Sequence, residues 1–286
     1  SMARFENWEA QKEKRMQVEF FIHDSGAREI AVEEHWHDCM EIQYLLEGES
    51  LHVINGRSCR IGAGQLLVLN PGNVHGSLYA AGIHTKTAVL KFDEASLEQF
   101  RKARRFRYLD RFMQNKETVW HPDAAQREKI RAFLDQLQAE KGEKGRGYEL
   151  IMQGIALQFA GYLVREGMLD WHGGEPTADI GPDLERIVHY IEENYMQDIN
   201  LEKVAEELHM NYSYASRYFR KMTGKNFKEF LDFVRISEAS RMLSDRRKSI
   251  AEIASACGFP CPQTMTRTCR RLLGVSPSAL RAGRDR

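Results

Sequence analysis

The sequence predicts a multidomain chain, with a small N-terminal β-barrel and flanking helices followed by an all-α domain built on two helix-turn-helix units. Three observations predict it. First, the last hundred residues contain two similar helix–break–helix patterns, LEKVAEELHMNYSYASRYF from Leu201 to Phe219 and IAEIASACGFPCPQTMTRTC from Ile250 to Cys269. Second, residues 16–92 are short apolar or β-branched runs broken at Asn55-Gly56, Gly62, Gly64 and Pro71-Gly72. Third, charge is separated along a neutral chain. From His209 onward 16 Lys or Arg face 6 Asp or Glu, a net of +10, so the preceding residues carry −10. At 286 residues the chain has room for about two domains.

The barrel comes first. The runs MQVEFFIH, MEIQYLLEG, SLHVING, SCRIGAGQLLVLNPG and HTKTAVLKF read as strands. Asn-Gly between alternating runs signals a tight hairpin. Many short strands at this spacing suit a small barrel whose interior has room for one small ligand. His35-x-His37 is followed by Glu41 and, after further turns, by His75. Side chains two apart on a strand share a face, so His35, His37 and Glu41 are expected to converge inside the barrel, with His75 arriving from a neighbouring strand. Tyr44, Trp36 and Glu33 are further lining candidates. This spacing resembles the cupin motif pair, and the four residues match the cupin metal ligands. Glu29 stands where that motif has a leading glycine, and Asn70 where a proline-rich step is often seen. Three readings stand side by side. The set holds a divalent ion such as Zn, Fe, Mn or Ni, which imidazole and carboxylate suit. It hydrogen-bonds a small effector without metal. Or it is structural, each histidine satisfied by its neighbours.

The middle of the chain reads as helical. Residues 94–113 and 123–140 are expected helices, the second with Ile130, Phe133, Leu134 and Leu137 on one stripe. KGEKGRG, residues 141–147, reads as a break. YELIMQGIALQFAGYLVREG, residues 148–167, is apolar on several faces, and its surplus suggests a homodimer. Domains are therefore expected at 1–93 (barrel), 94–169 (helical, dimerising), 170–183 (linker rich in Gly, Pro and acids) and 184–286.

In the last domain, Leu184, Ile187, Val188 and Ile191 form one apolar face, and Asp198 or Asn200 is expected to cap the helix LEKVAEELH. Met210-Asn211 makes the turn, and the second helix buries Ala215 and Phe219. A long helix near Phe227 to Leu243, with Phe230, Leu231, Val234, Ile236 and Ala239 as its stripe, ties this unit to the next. There Gly258 suits a turn with positive φ, Phe259 anchors the core and Pro262 opens the helix. The second helix of each unit leaves polar side chains outward. Ser213, Ser216, Arg217, Gln263, Thr264, Thr266 and Arg267 are candidates for base edges. Arg220, Lys221, Arg270 and Arg271 are candidates for phosphates.

This domain resembles the AraC/XylS family of bacterial transcriptional regulators from about Leu184 to Arg281, including the closing GVSPSALR. The resemblance implies that both second helices enter adjacent major grooves, placing Ser213, Ser216, Arg217, Gln263, Thr264 and Arg267 on DNA. It also makes a cupin-like front end an effector and dimerisation domain. Cys269 replaces a usual Phe, Pro262 a usual polar residue, and Ala279 and Leu280 a usually aromatic tail. The partners implied are double-stranded promoter DNA, a small-molecule effector such as a sugar, and RNA polymerase if the protein activates. Without a signal-peptide pattern, or an apolar run near the ~20 residues of a membrane span, a cytoplasmic location and no membrane partner are expected. Five scattered cysteines do not form a disulfide scaffold. No enzymatic activity is expected. The alternatives are a metal-dependent cupin enzyme with an accessory DNA-binding domain, or a ligand-independent regulator or repressor whose barrel is only structural.

Overall fold

A computed structural model describes residues 4–5, 18–37, 39–93, 108–109, 112, 118–169 and 181–283. The chain divides into two compact units.

In the first unit, the strands are β1 (Arg4–Phe5), β2 (Val18–Asp24), β3 (Ile30–Trp36), β4 (Cys39–Glu47), β5 (Glu49–Ile54), β6 (Arg57–Gly62), β7 (Leu66–Leu69), β8 (His75–Tyr79), β9 (Lys86–Asp93) and β10 (Val119–Trp120). They make two five-stranded sheets, ordered β1-β3-β8-β5-β6 and β10-β7-β4-β9-β2. Asn55 and Gly56 both take positive φ between β5 and β6, as the tight hairpin between those paired strands requires.

β4 is buried along nearly its whole length, because each of its faces meets a different layer. Met40, Ile42 and Tyr44 pack with Phe20, Leu90 and Phe92 against two helices. Leu45, on the other face, joins Ile54, Ile61, Leu67 and Leu69. The helices are α1 (Ala124–Glu143) and α2 (Tyr148–Arg165). α1 starts at a capping box in which Asp123 accepts from the Gln126 backbone N–H and the Gln126 side chain reaches back. Its expected stripe of Ile130, Phe133, Leu134 and Leu137 is the buried one. α2 buries Met152, Ile155, Ala156, Phe159, Ala160 and Leu163 in the same core. The segment 94–169 is therefore divided: α1 and α2 complete the barrel's core, whereas Tyr108, Leu109 and Phe112 pack in the second unit. Most of the expected helix 94–113 and the linker 170–180 lie outside the described residues.

The second unit contains α3 (Pro182–Asn194), α4 (Leu201–Glu207), α5 (Tyr212–Thr223), α6 (Phe227–Met242), α7 (Ile250–Ala256), α8 (Pro262–Leu273) and α9 (Pro277–Gly283). Asn200, Asn211, Asn226 and Ser249 cap successive helices by accepting a backbone N–H of the first turn. The two helix-turn-helix units repeat closely. α4 and α7 each end in a turn at positive φ, His209 at 54° and Gly258 at 80°. In each, the next residue's N–H returns to the first helix: Met210 to Ala205 at 2.7 Å and Phe259 to Ala254 at 2.9 Å. The second turn has an added constraint, for a Cβ on Gly258 would lie 2.5 Å from the Tyr195 carbonyl oxygen.

The two turns should thus respond oppositely. Gly258→Ala is expected to destabilise the chain by more than ~1 kcal/mol, through positive φ and backbone collision together. His209→Gly should be neutral or stabilising by about 0.5 kcal/mol, since glycine relieves the left-handed strain at some entropic cost. Denaturant unfolding followed by helical circular dichroism measures both, and equal effects would refute the distinction.

Candidate functional site

The barrel interior gathers the four residues expected there. His35 lies in β3, His37 just beyond its end, Glu41 in β4 and His75 at the start of β8, with His35 opposite His75 in the ladder. A register irregularity between Val32 and His35 replaces the single straight strand of the simple expectation. All four are buried, and one ligand atom from each lies within 4.8 Å of the others.

Each histidine is oriented by the backbone. Nδ1 of His35 lies 2.9 Å from the Glu33 carbonyl, that of His37 3.0 Å from Cys39's and that of His75 2.9 Å from Asn73's. A ring that donates Nδ1–H to a carbonyl turns Nε2 toward the cluster, where it bonds an ion when it carries no proton and donates to a carboxylate when it does. His37 Nε2 is 2.7 Å from Glu41 Oε2, and His75 Nε2 is 3.5 Å from the same oxygen. Lys91 Nζ stands 3.8 Å from it, while Gln43 donates to Oε1 at 2.6 Å. Burial pushes the Glu41 carboxyl up, but the hydrogen bonds from His37 and His75 and the charges of His75 and Lys91 outweigh it and hold its pKa well below normal. The donor set is therefore three imidazoles and one ionised carboxylate, which fits a divalent ion of the Zn, Fe, Mn or Ni type. It equally offers hydrogen bonds to a polar effector.

Tyr44 does not join this set. Alternation along β4 turns it to the opposite face from Glu41, into the core beneath α1 and α2. Glu33 is exposed, and its carbonyl oxygen faces Nδ1 of His35. Gln43, Lys91 and His52 were missed. Counting two onward from Glu41 would have found Gln43. His52 is fully buried in β5 and bonds Ser50 at 2.9 Å. Burial first, and the charge of His75 second, lower its pKa to about 4.

The candidate nucleic-acid face lies on α5 and α8. Ser213, Arg217, Arg220 and Lys221 are exposed on α5 and Ser216 is half-buried. Gln263, Arg267, Arg270 and Arg271 are exposed on α8, with Thr264 and Thr266 half-buried. The inward faces are Ala215 and Phe219 in one helix and Met265, Thr268 and Cys269 in the other. Arg217 and Arg267, the equivalent positions, both point to solvent. Arg271 is the exception, because its Nη2 donates to the buried Asp232 of α6 at 2.6 Å. That removes it from the simple set of outward phosphate contacts. Sequence reasoning also missed Tyr212 and Tyr214, exposed at the start of α5, where the Tyr214 hydroxyl donates to Asp183 at 2.8 Å. Burial pushes the thiols of Cys257 and Cys269 up to about 12, so both behave as packing residues.

Comparison with known proteins agrees with both halves. The helix-turn-helix domain family matches residues 204–283, and the family of AraC-like ligand binding domains matches residues 17–160. The HTH-type transcriptional activator RhaS of Klebsiella pneumoniae (strain 342) is 25% identical over 263 residues, covering 89% of each chain. Its namesake in Escherichia coli (strain K12 / DH10B) is 24% identical over 285 residues, covering 94% of this chain and 96% of that one. Unsaturated fatty acid bound wild-type ToxT from Vibrio cholerae shares the fold, with a TM-score of 0.50 at 13% identity over 96% of this chain and 98% of that one. With a sensing barrel ahead of two outward-facing reading helices, the chain belongs to the AraC family of helix-turn-helix transcriptional regulators.

Proposed function

We propose that this regulator is an effector-responsive activator working in the cytoplasm as a homodimer, with the four-residue cluster of the barrel as its sensing centre. One observation carries the sensing assignment: three buried histidines, each oriented by a backbone carbonyl, converge with a buried carboxylate on one point. A core made only for stability has little use for so many convergent polar groups, whose burial is unfavourable unless each is bonded. His35, His37, Glu41 and His75 would hold a divalent ion, which would supply a Lewis-acid anchor for an oxygen of the effector. Gln43 and Lys91 hold the Glu41 carboxylate in place. No catalytic step is assigned to the cluster.

Dimerisation is assigned to α2. Leu150 is 76% exposed and Ile151 47%. With Gly154 and Gly161 they form a stripe at helical spacing on the side away from the barrel core, while half-buried Leu157 packs against that core. The reading of RhaS as an activator supports the sign of regulation, and recruitment of RNA polymerase is the corresponding partner interaction.

Three outcomes are expected. Elemental analysis of the full chain, after dialysis against Zn, Mn, Fe or Ni, should find one ion per chain, lost in His75→Ala. A saturating ion at a hundred times its Kd would stabilise the fold by about 2.7 kcal/mol in thermal unfolding. Stoichiometric absence of all four, with effector binding intact, would leave a metal-free pocket instead. Arg217→Ala and Arg267→Ala should each weaken binding to a selected duplex by about 1–3 kcal/mol and blur preference at one base position. Uniform weakening across all sequences would assign them to phosphate. Leu150→Glu should convert dimer to monomer in sedimentation, and an unchanged dimer would place the interface elsewhere.

A further inference from the structure

The second reading helix is held by a strut that the first one lacks. Gly224 and Gly274 end α5 and α8 in the same left-handed cap. Counting back from them, Arg220 and Lys221 correspond to Arg270 and Arg271. Lys221 is exposed and makes no hydrogen bond among the described residues. Arg271 instead turns onto α6, where its Nη2 meets Asp232 Oδ2 at 2.6 Å. Asp232 is only 4% exposed, in a helix that also buries Arg235 and Glu238 among its apolar side chains. Lys228 completes the carboxylate's surroundings, its Nζ lying 3.1 Å from both oxygens. Of these two cations, Lys228 belongs to α6 itself, so only Arg271 reaches across to another helix.

We propose that Asp232 is a positioning residue for DNA recognition, and that Arg271 acts as its strut rather than as a phosphate contact. Lys228 stays with Asp232 wherever α8 lies, so what rotation of α8 about its own axis or along α6 breaks is the Arg271 bond to a buried carboxylate oxygen, and the pair resists both movements. Arg267 lies one turn before Arg271 on the same helix, and its reach to a base edge depends on that orientation. The pair is thus a determinant of sequence choice in the second half of the site, without touching a base. This rests on the reading of α8 as a DNA-reading helix, and the experiment separates the two.

The test uses the full-length chain and a duplex selected from a randomised library by the wild-type protein. Affinity is measured by fluorescence anisotropy from 50 to 200 mM salt, with hydroxyl-radical footprints of both half-sites. Arg271→Ala is expected to weaken binding about tenfold and to erase protection in one half-site, leaving the other half unchanged. Asp232→Asn should do the same, and Arg271→Lys, which can still pair, should restore protection. A fall in the salt slope by about 0.9 in Arg271→Ala, with both half-sites still protected, would mark one lost phosphate contact and overturn the proposal. Intact footprints in both Arg271→Ala and Asp232→Asn would also overturn it. Because Asp232→Asn removes a buried charge and could disturb folding, the half-exposed Arg271 provides the decisive variant. If Arg267→Ala leaves affinity and footprint untouched, it is the reading of α8 that fails, and the strut loses its object.

Discussion

Charge inside a helix that is covered on both sides is tolerated only where every charged group meets a partner, and this requirement organises the whole DNA-binding unit. α6 buries Asp232, Arg235 and Glu238 along with its apolar residues. Arg235 donates to the Tyr195 and Gln197 carbonyls at 2.8 Å each, closing the C-terminal end of α3, and its guanidinium lies 5.9 Å from the Phe259 ring centroid. Glu238 takes Arg241 at 2.5 Å. Because the carboxylates are buried but Arg241 and Arg271 are half or more exposed, removing one member costs less than the roughly 3–5 kcal/mol of a fully buried pair, and an apolar replacement of a whole pair is often neutral. These bonds therefore serve placement more than net stability. The supporting helix α3, the turn of the second unit and the end of α8 are all referred to one helix.

The barrel solves a related problem differently. Its polar groups converge on a point rather than lining a helix, and the backbone supplies the outer partners. Since the three Nδ1 anchors are carbonyls two residues before or after each ring, local chain geometry supplies the outer partner of every ring. The hairpin and bulge that shape those segments are thus part of the site. β4 links this centre to the rest of its unit, for the strand that presents Glu41 inward presents Met40 and Ile42 to α1 and α2 on its other side.

Much of this was legible in the residues. Periodicity found α1, α2 and the reading helices to within about three residues, and Asn200, one of two expected caps, does cap its helix because capping is local chemistry. Alternation found the convergence of His35, His37, Glu41 and His75. Tyr44 was misplaced by ignoring parity along β4, and that parity was itself in the sequence. Arg271 and Asp232 are another matter. Nothing local distinguishes an arginine aimed at a phosphate from one folded back onto a carboxylate 39 positions away. Only the packing of α8 on α6 decides it. Likewise, the division of residues 94–169 between two cores follows from tertiary contacts that composition does not encode.

The two turns, alike in backbone, differ in what surrounds them. His209 carries a side chain at positive φ with room to spare, while Gly258 sits hard against the Tyr195–Met196 backbone. The repeats are consequently not interchangeable modules. A chimera carrying the second motif in the first place meets no steric bar at the turn, but the reverse transplant drives an imidazole into the main chain. Redesign of binding preference by shuffling motifs is therefore open in one direction only.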